Sequence, residues 1–337
     1  MTKKGRNILL AAAAVLAVAG LFTAFGQKET AKTVITASAN NWDSQNLHNA
    51  IAKLVVEHAY DGYEFGTSAA SSTMNWQSLL AGEVDLDIES WTFNVPSYPD
   101  DIARGDIVDL GTLVPDSRQG LYVPRYVIEG DPARGIKALA PGLKSVADLA
   151  KYWQVFPDDE KAGRGRIYGS LPGWMADEIL YKKYEAYGLN KHYEYVRLGD
   201  ESTLFASLTS AYNQGLPWVG YCYEPTAVTG RLDLVLLDDR PYDAVLYLKG
   251  ESAFPDQELK IVASKKFLTK APELAEFFKK YKTGSSLISK ALAHLDETQD
   301  GIDQTAVWLL KNNDELLEQW LPAENAKKLR DYLKTLD

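Results

Sequence analysis

From Thr33 to Glu89 the chain switches its hydrophobic period back and forth, and this alternation restricts the fold more than any other feature. Thr33 to Ala37 (TVITA) is a short β-branched run. Leu47, Ile51, Leu54 and Val55 then recur at helical spacing, with Lys53, Glu57 and His58 elsewhere on the wheel. The cycle repeats with a strand at Tyr63–Phe65 and a helix over Ser71–Leu80. Val84, Leu86 and Ile88 next alternate with Asp85, Asp87 and Glu89, the two-residue period of a strand. Strand, helix, strand, helix, strand predicts a parallel sheet with right-handed crossovers.

A second series follows an extended stretch, Gly120–Ile128, that Pro124 interrupts. Gly165–Gly169 (GRIYG) reads as a strand, Met175–Gly188 and Thr203–Gln214 as helices, and Trp218–Tyr223 (WVGYCY) as a strand. Leu232–Leu237 is an apolar run suited to a buried strand or crossover. Helical spacing returns in the tail at Ala271–Tyr281, Thr305–Asn312, Asp314–Trp320 and Glu324–Leu336. The two series, joined by extended segments near 120–130 and 226–240, predict an α/β protein of two lobes. The first is completed by the C-terminal part: residues 33–122 with 236–337 form lobe I, and 123–235 form lobe II.

The 337 residues suffice for two such cores. Lys3, Lys4 and Arg6 precede an uninterrupted apolar and small-residue run, Ile8–Phe22, with a small-residue exit at Thr23–Gln27. This is the pattern of a secretory signal over residues 1–26, cut after Gly26. The alternative is an uncleaved anchor, since Ile8–Gly26 is nearly long enough to span a bilayer. Three of the 36 basic residues lie in that leader, so the rest of the chain is more acidic than the overall −10. Such a surface repels phosphate backbones and argues against nucleic-acid binding. Cys222 is the only cysteine, which excludes an intrachain disulfide, and four scattered His show no metal-ligand spacing. No metal or cofactor is expected.

Aromatics stand out: 8 Trp and 19 Tyr. Ligands of open α/β sheets bind beyond the carboxyl ends of parallel strands. Trp42 lies just past the first strand and Trp91 past the third; Trp174 follows GRIYG through a turn, and Tyr223 closes WVGYCY. If the lobes face each other, these rings meet. A box of ring faces attracts a bulky, poorly hydrated cation through the ring quadrupole, each desolvated contact contributing roughly 0.5–2 kcal/mol. Three or four contacts give about 2–8 kcal/mol, against roughly 8 kcal/mol for micromolar binding. Glu89 and Asp43, beside two of the tryptophans, add a negative field. The competing reading is that each Trp packs the core rim and each acid caps a helix or is solvated.

The stretches NNWDSQ (40–45), LLAGEVDLDIESW (79–91), RQGLYVPRYVIEGDPARGI (118–136), GRGRIYGSLPGW (163–174), YEAYGL (184–189) and PWVGYCYEPTAVTGRLDLVLL (217–237) resemble the substrate-binding proteins of ABC importers for glycine betaine and related methylated ammonium compounds. The similarity runs in order over most of the chain beyond residue 33, including the tail NNDELLEQWLPAENAKKL. It implies a type II periplasmic-binding-protein fold, two lobes that close on the ligand around two hinge crossings. It also implies an extracytoplasmic monomer that delivers its ligand to a membrane permease. Trp42, Trp91 and Trp174 occupy positions of the family's cage aromatics, and Tyr223 stands where Trp is common. Ala227 and Leu121 also fall where relatives carry Trp.

The far end of the ligand leaves alternatives open. A betaine carboxylate needs donors, such as backbone N–H groups, His48 or Arg125; for these two the competing readings are a solvated helix position and a hinge salt bridge. A pure cation such as choline favours Glu89, Asp43 or Glu224. Tyr122, in the presumed hinge strand, is a further cleft candidate. A secreted hydrolase using Glu89 and Glu224 is the contrasting class, but Gly-x-Ser-x-Gly, His-Glu-x-x-His and P-loop motifs are all missing. A non-enzymatic binding protein is therefore expected.

Overall fold

The computed structural model describes residues 31–255 and 257–336; the leader at 1–26 lies outside them. Two five-stranded sheets organise these residues. The first half contains β1 (Thr33–Ala39), α1 (Asp43–His58), β2 (Tyr63–Ala69), α2 (Ser72–Ala81), β3 (Leu86–Ser90), α3 (Tyr98–Arg104) and β4 (Ile107–Ser117). A late strand, β10 (Gln257–Ser264), joins them in the order β2-β1-β3-β10-β4. β1 and β3 run parallel, as the alternating periods predict. β10 is antiparallel to both β3 and β4, so the sheet is mixed rather than wholly parallel.

β4 carries Pro115, which has no N–H to donate. Its edge position accommodates that loss, because only one side of an edge strand is paired. Behind this sheet pack α1 and the C-terminal helices α7 (Pro272–Lys280), α8 (Ser285–Thr298), α9 (Ile302–Asn312), α10 (Glu315–Trp320) and α11 (Ala323–Leu333). Their apolar faces form one continuous core that includes Leu47, Ile51, Ile261, Phe277, Leu309 and Trp320.

The second sheet has the order β7-β6-β8-β5-β9, from β5 (Gln119–Pro124), β6 (Gly165–Tyr168), β7 (Tyr193–Val196), β8 (Gly220–Tyr223) and β9 (Leu234–Leu236). β6 pairs parallel with β7 and β8, while β5 is antiparallel to β8 and β9. The main helices on this side are α4 (Met175–Ala186) and α5 (Glu201–Gln214), with the short α6 (Ala227–Arg231) after β8. A separate core gathers around Val123, Ile167, Leu180, Leu208 and Trp218. Hydrogen bonding puts all of Gln119–Pro124 in the second sheet, earlier than the boundary expected at residue 122. Tyr247 and Phe254 also pack into the second core, later than the boundary expected at 236.

The alternation in β3 has an unusual consequence. A strand with acids on one face normally turns that face to water. Here Asp85, Asp87 and Glu89 are all buried, and residues at the start of α1 donate to two of them, Gln45 to Asp87 and Ser44 to Glu89. Asp85 is balanced by Lys270 at 2.6 Å and accepts from the Thr36 amide at 2.8 Å. Among the described residues, Asp87 and Glu89 have no such lysine.

Candidate ligand-binding site

The carboxyl ends of β1 and β3 bring Trp42 and Trp91 to one place, and the ends of β6 and β8 bring Trp174 and Tyr223 to the same place. Trp42 meets Trp174 edge-on with ring centroids 5.3 Å apart. Trp91 meets Tyr223 in the same manner, also at 5.3 Å. Trp174 and Tyr223 lie 5.8 Å apart, which links the pairs. Trp42 follows a strand of the first sheet, yet its ring is buried in the second sheet's core. The four rings surround a cavity of about 40 Å³, a few times what one water requires.

The remaining wall is polar in part. Asn40, Ser72, Asp87, Ser90 and Asn94 line it from the first half, with Trp76 and Val95; Met175, Ala176 and Tyr221 complete it from the second. Asp87 is its one carboxylate, and no Lys, Arg or His lines it among the described residues. Burial pushes Asp87 up to about 6, against the opposing hydrogen bonds it accepts, including one from Gln45 Nε2 at 2.7 Å. Asp87, Asn40, Asn94 and Tyr221 were not singled out from sequence. The signal for Asp87 was present, since it shares the face of β3 with Glu89, two residues on.

Glu89 sits behind the rings rather than in the cavity wall. Its Oε1 accepts from Trp42 Nε1 at 3.0 Å, Trp91 Nε1 at 3.1 Å and Ser44 Oγ at 2.9 Å. Burial pushes its carboxyl up to about 8 in spite of those three donors. Its other oxygen has no hydrogen-bond partner and faces His48 Nε2, also unpartnered, at 3.7 Å. His48 is fully buried, not a solvated helix position, and burial holds it down at about 3, so the ring is neutral. Its Nδ1 lies 2.8 Å from the Tyr281 hydroxyl, which anchors α1 to the segment after α7.

The other sequence candidates stand outside the cavity. Asp43 has an exposed side chain; its backbone N–H donates to Glu201 Oε2 at 3.0 Å. Tyr122 is buried in β5 and its hydroxyl donates to Glu224 Oε1 at 3.1 Å. Glu224 also pairs with Arg118 at 3.3 Å. Arg125 bridges Asp233 at 2.8 Å and Glu129 at 3.1 Å, the salt-bridge alternative. Leu121 is buried in β5, while Ala227 packs against the first half's core.

The model of one protein family, the substrate binding domain of ABC-type glycine betaine transport systems, matches residues 32–312. The chain belongs to that family. Its members are extracytoplasmic solute-binding domains of membrane importers, not enzymes. The glycine betaine-binding periplasmic protein OusX of Dickeya dadantii is 26% identical over 300 residues, which cover 81% of this chain and 83% of OusX. The structure is similar to the glycine betaine, L-proline-binding protein ProX of Borrelia burgdorferi, with a TM-score of 0.68 at 20% identity over 88% of this chain and 99% of that one. Lactococcal OpuAC in its closed, glycine betaine-bound form gives a TM-score of 0.66 at 16% identity, covering 86% of this chain and 100% of that one. These likenesses establish the type II periplasmic-binding-protein fold. Among the described residues of this family member, no helix is long and apolar enough to cross a membrane.

Proposed function

We propose that this chain binds a methylated ammonium compound of the glycine betaine class between two lobes and hands it to an ABC permease, working outside the cytoplasmic membrane as a monomer exported by its N-terminal segment. The observation that carries this reading is the convergence of Trp42, Trp91, Trp174 and Tyr223 around one cavity. Ring faces attract a desolvated quaternary cation, and four such rings line this one cavity. Since the rings come from both halves, a ligand among them contacts both at once. That gives it the differential affinity for the closed form that a population shift requires. Glu89 would serve by aiming two indoles, with Asp87 rather than Asp43 or Tyr122 beside the ligand.

The lining favours a second reading for the ligand's other end. Asp87 is a carboxylate in the wall, and no basic side chain is available there for a ligand carboxylate. That combination suits a net cation such as choline; a betaine would have to use Asn40, Asn94, the serines and the first-turn backbone N–H groups of α4 at Met175 and Ala176 as donors. Titration calorimetry against glycine betaine, choline, carnitine and trimethylamine N-oxide decides between them. Heat from one or more of these supports the class, and the choline-to-betaine ratio selects the member. No heat from any of the four would overturn the class.

A further inference from the structure

One buried acid of this site lies outside the cavity wall and belongs to neither sheet. Glu201 is the first residue of α5, preceded by Asp200, whose side chain caps that helix at the Thr203 amide. Its side chain is buried, and both oxygens are engaged on opposite sides. Oε1 accepts from the Tyr223 hydroxyl at 2.7 Å. Oε2 accepts from the backbone N–H of Asp43 at 3.0 Å. Tyr223 ends β8 in the second half, whereas Asp43 opens α1 in the first, directly after Trp42. The Asp43 amide is one of the first-turn N–H groups that a helix cannot satisfy internally. One carboxylate thus ties a ring of the second half to the backbone that carries a ring of the first.

We propose that Glu201 is the latch that holds the two halves together around the ligand, with the cationic headgroup as its counter-charge; this rests on the methylated ammonium reading above. The hydrogen bonds to Tyr223 and Asp43 share one carboxylate, so separating the halves must break the link to Asp43. Other polar contacts also join the halves: the Tyr247 hydroxyl donates to Asn94 Oδ1 at 2.8 Å, Arg231 pairs with Asp296 at 2.8 Å, and Ser72 Oγ and Thr73 Oγ1 each reach the Gly173 carbonyl at 3.3 Å, but none of these uses a carboxylate bonded to a ring of the cage. The latch carries a built-in penalty without ligand. Burial disfavours its charge, and the titratable groups beside it, Asp43 and Glu89, are both acids, of which Glu89, pushed up to about 8, is itself largely protonated at neutral pH and offers no counter-charge. A buried carboxylate with no cation is costly, and it becomes favourable when a positive partner arrives. A headgroup packed on the Tyr223 ring supplies that partner. Closing empty is then penalised by the same group that makes closing around a cation stable.

The test compares the parent protein with Glu201→Ala and Glu201→Gln, using Trp fluorescence in stopped-flow with choline and glycine betaine. Glu201→Gln keeps the volume and one acceptor but removes the charge, so it reports even if the alanine variant folds poorly. Release from both variants is expected to be at least tenfold faster, with association within about threefold of the parent. Small-angle scattering of the unliganded Glu201→Gln protein is expected to show a radius of gyration no larger than the parent's, since the penalty on empty closure is gone. A purely structural role would instead lower the melting temperature and leave release unchanged. If the parent binds a panel member and both variants release it at the parent's rate, the latch is overturned while the ligand class stands. If the parent binds none of them, the ligand class fails and the latch falls with it.

Discussion

Glu89 shows how one side chain can aim two others. Three donors converge on its Oε1, and two of them are the indoles of Trp42 and Trp91. Replacing Trp91 with Ala removes a ring face and is expected to weaken binding tenfold or more, since about 1.4 kcal/mol corresponds to a factor of ten. Unchanged affinity in calorimetry, with intact folding, would remove Trp91 from the cage. Glu89 also makes stability depend on pH. Its carboxyl titrates near 8 when folded against 4.5 as the ordinary value, and Asp87 near 6 against 3.8. The folded state therefore holds protons that the unfolded chain has already lost, and stability falls as pH rises toward 8. His48 acts with the opposite sign, but only below its ordinary 6.5, where the unfolded chain takes a proton that the buried ring refuses until about 3. Between pH 6.5 and about 8.5 Glu89 and Asp87 act together with Glu201 and the Cys222 thiol, which burial also pushes up, and all four lower stability as pH rises. The unliganded protein is expected to melt higher at pH 6.5 than at about 8.5, and Glu89→Gln to shrink that difference. An equal pH difference in the variant would show that Glu89 does not cause it.

At the scale of elements, local period proved informative where partners are neighbours in sequence. The β1–α1–β2–α2–β3 succession follows from the switching of period, and so do the ring positions at the strand ends. What the period could not show is β10, whose partners β3 and β4 lie far back in the chain. Nothing in QELKIVAS names them. β4 was hidden for a different reason: Gly111 and Pro115 break a strand pattern, and only the edge position makes them tolerable. Asp87 was hidden by the habit of sending strand acids to solvent, and Glu201 by lying in a helix start whose importance is tertiary. Because β10 holds the first sheet together, its apolar side chains should matter disproportionately. Ile261 is fully buried between β3 and β4. Ile261→Ala is expected to cost about 2–5 kcal/mol in urea unfolding. A loss below about 1 kcal/mol would mean that the strand is peripheral to the first half's core.

At the scale of the whole molecule, charge separates the two readings of the ligand by kinetics as well as affinity. The chain carries a formal −10 at pH 7, and Asp87 lines a cavity wall without a basic residue. A cation approaching such a surface is drawn in, and narrow low-dielectric clefts focus that field. Salt weakens the attraction because the screening length shrinks from about 8 Å at physiological ionic strength to about 3 Å at 1 M. A zwitterion has no net charge to be steered, so its association should barely respond. Raising sodium chloride from about 0.05 to 1 M is therefore expected to slow choline association severalfold and to leave glycine betaine association within twofold. Release rates should change little for either, because the headgroup is enclosed by rings and shielded from the added ions. Salt-independent choline association would mean that the acidic surface lies away from the cleft mouth. The negative field would then act only at contact, through Asp87, since burial keeps Glu89 behind the rings largely protonated at neutral pH.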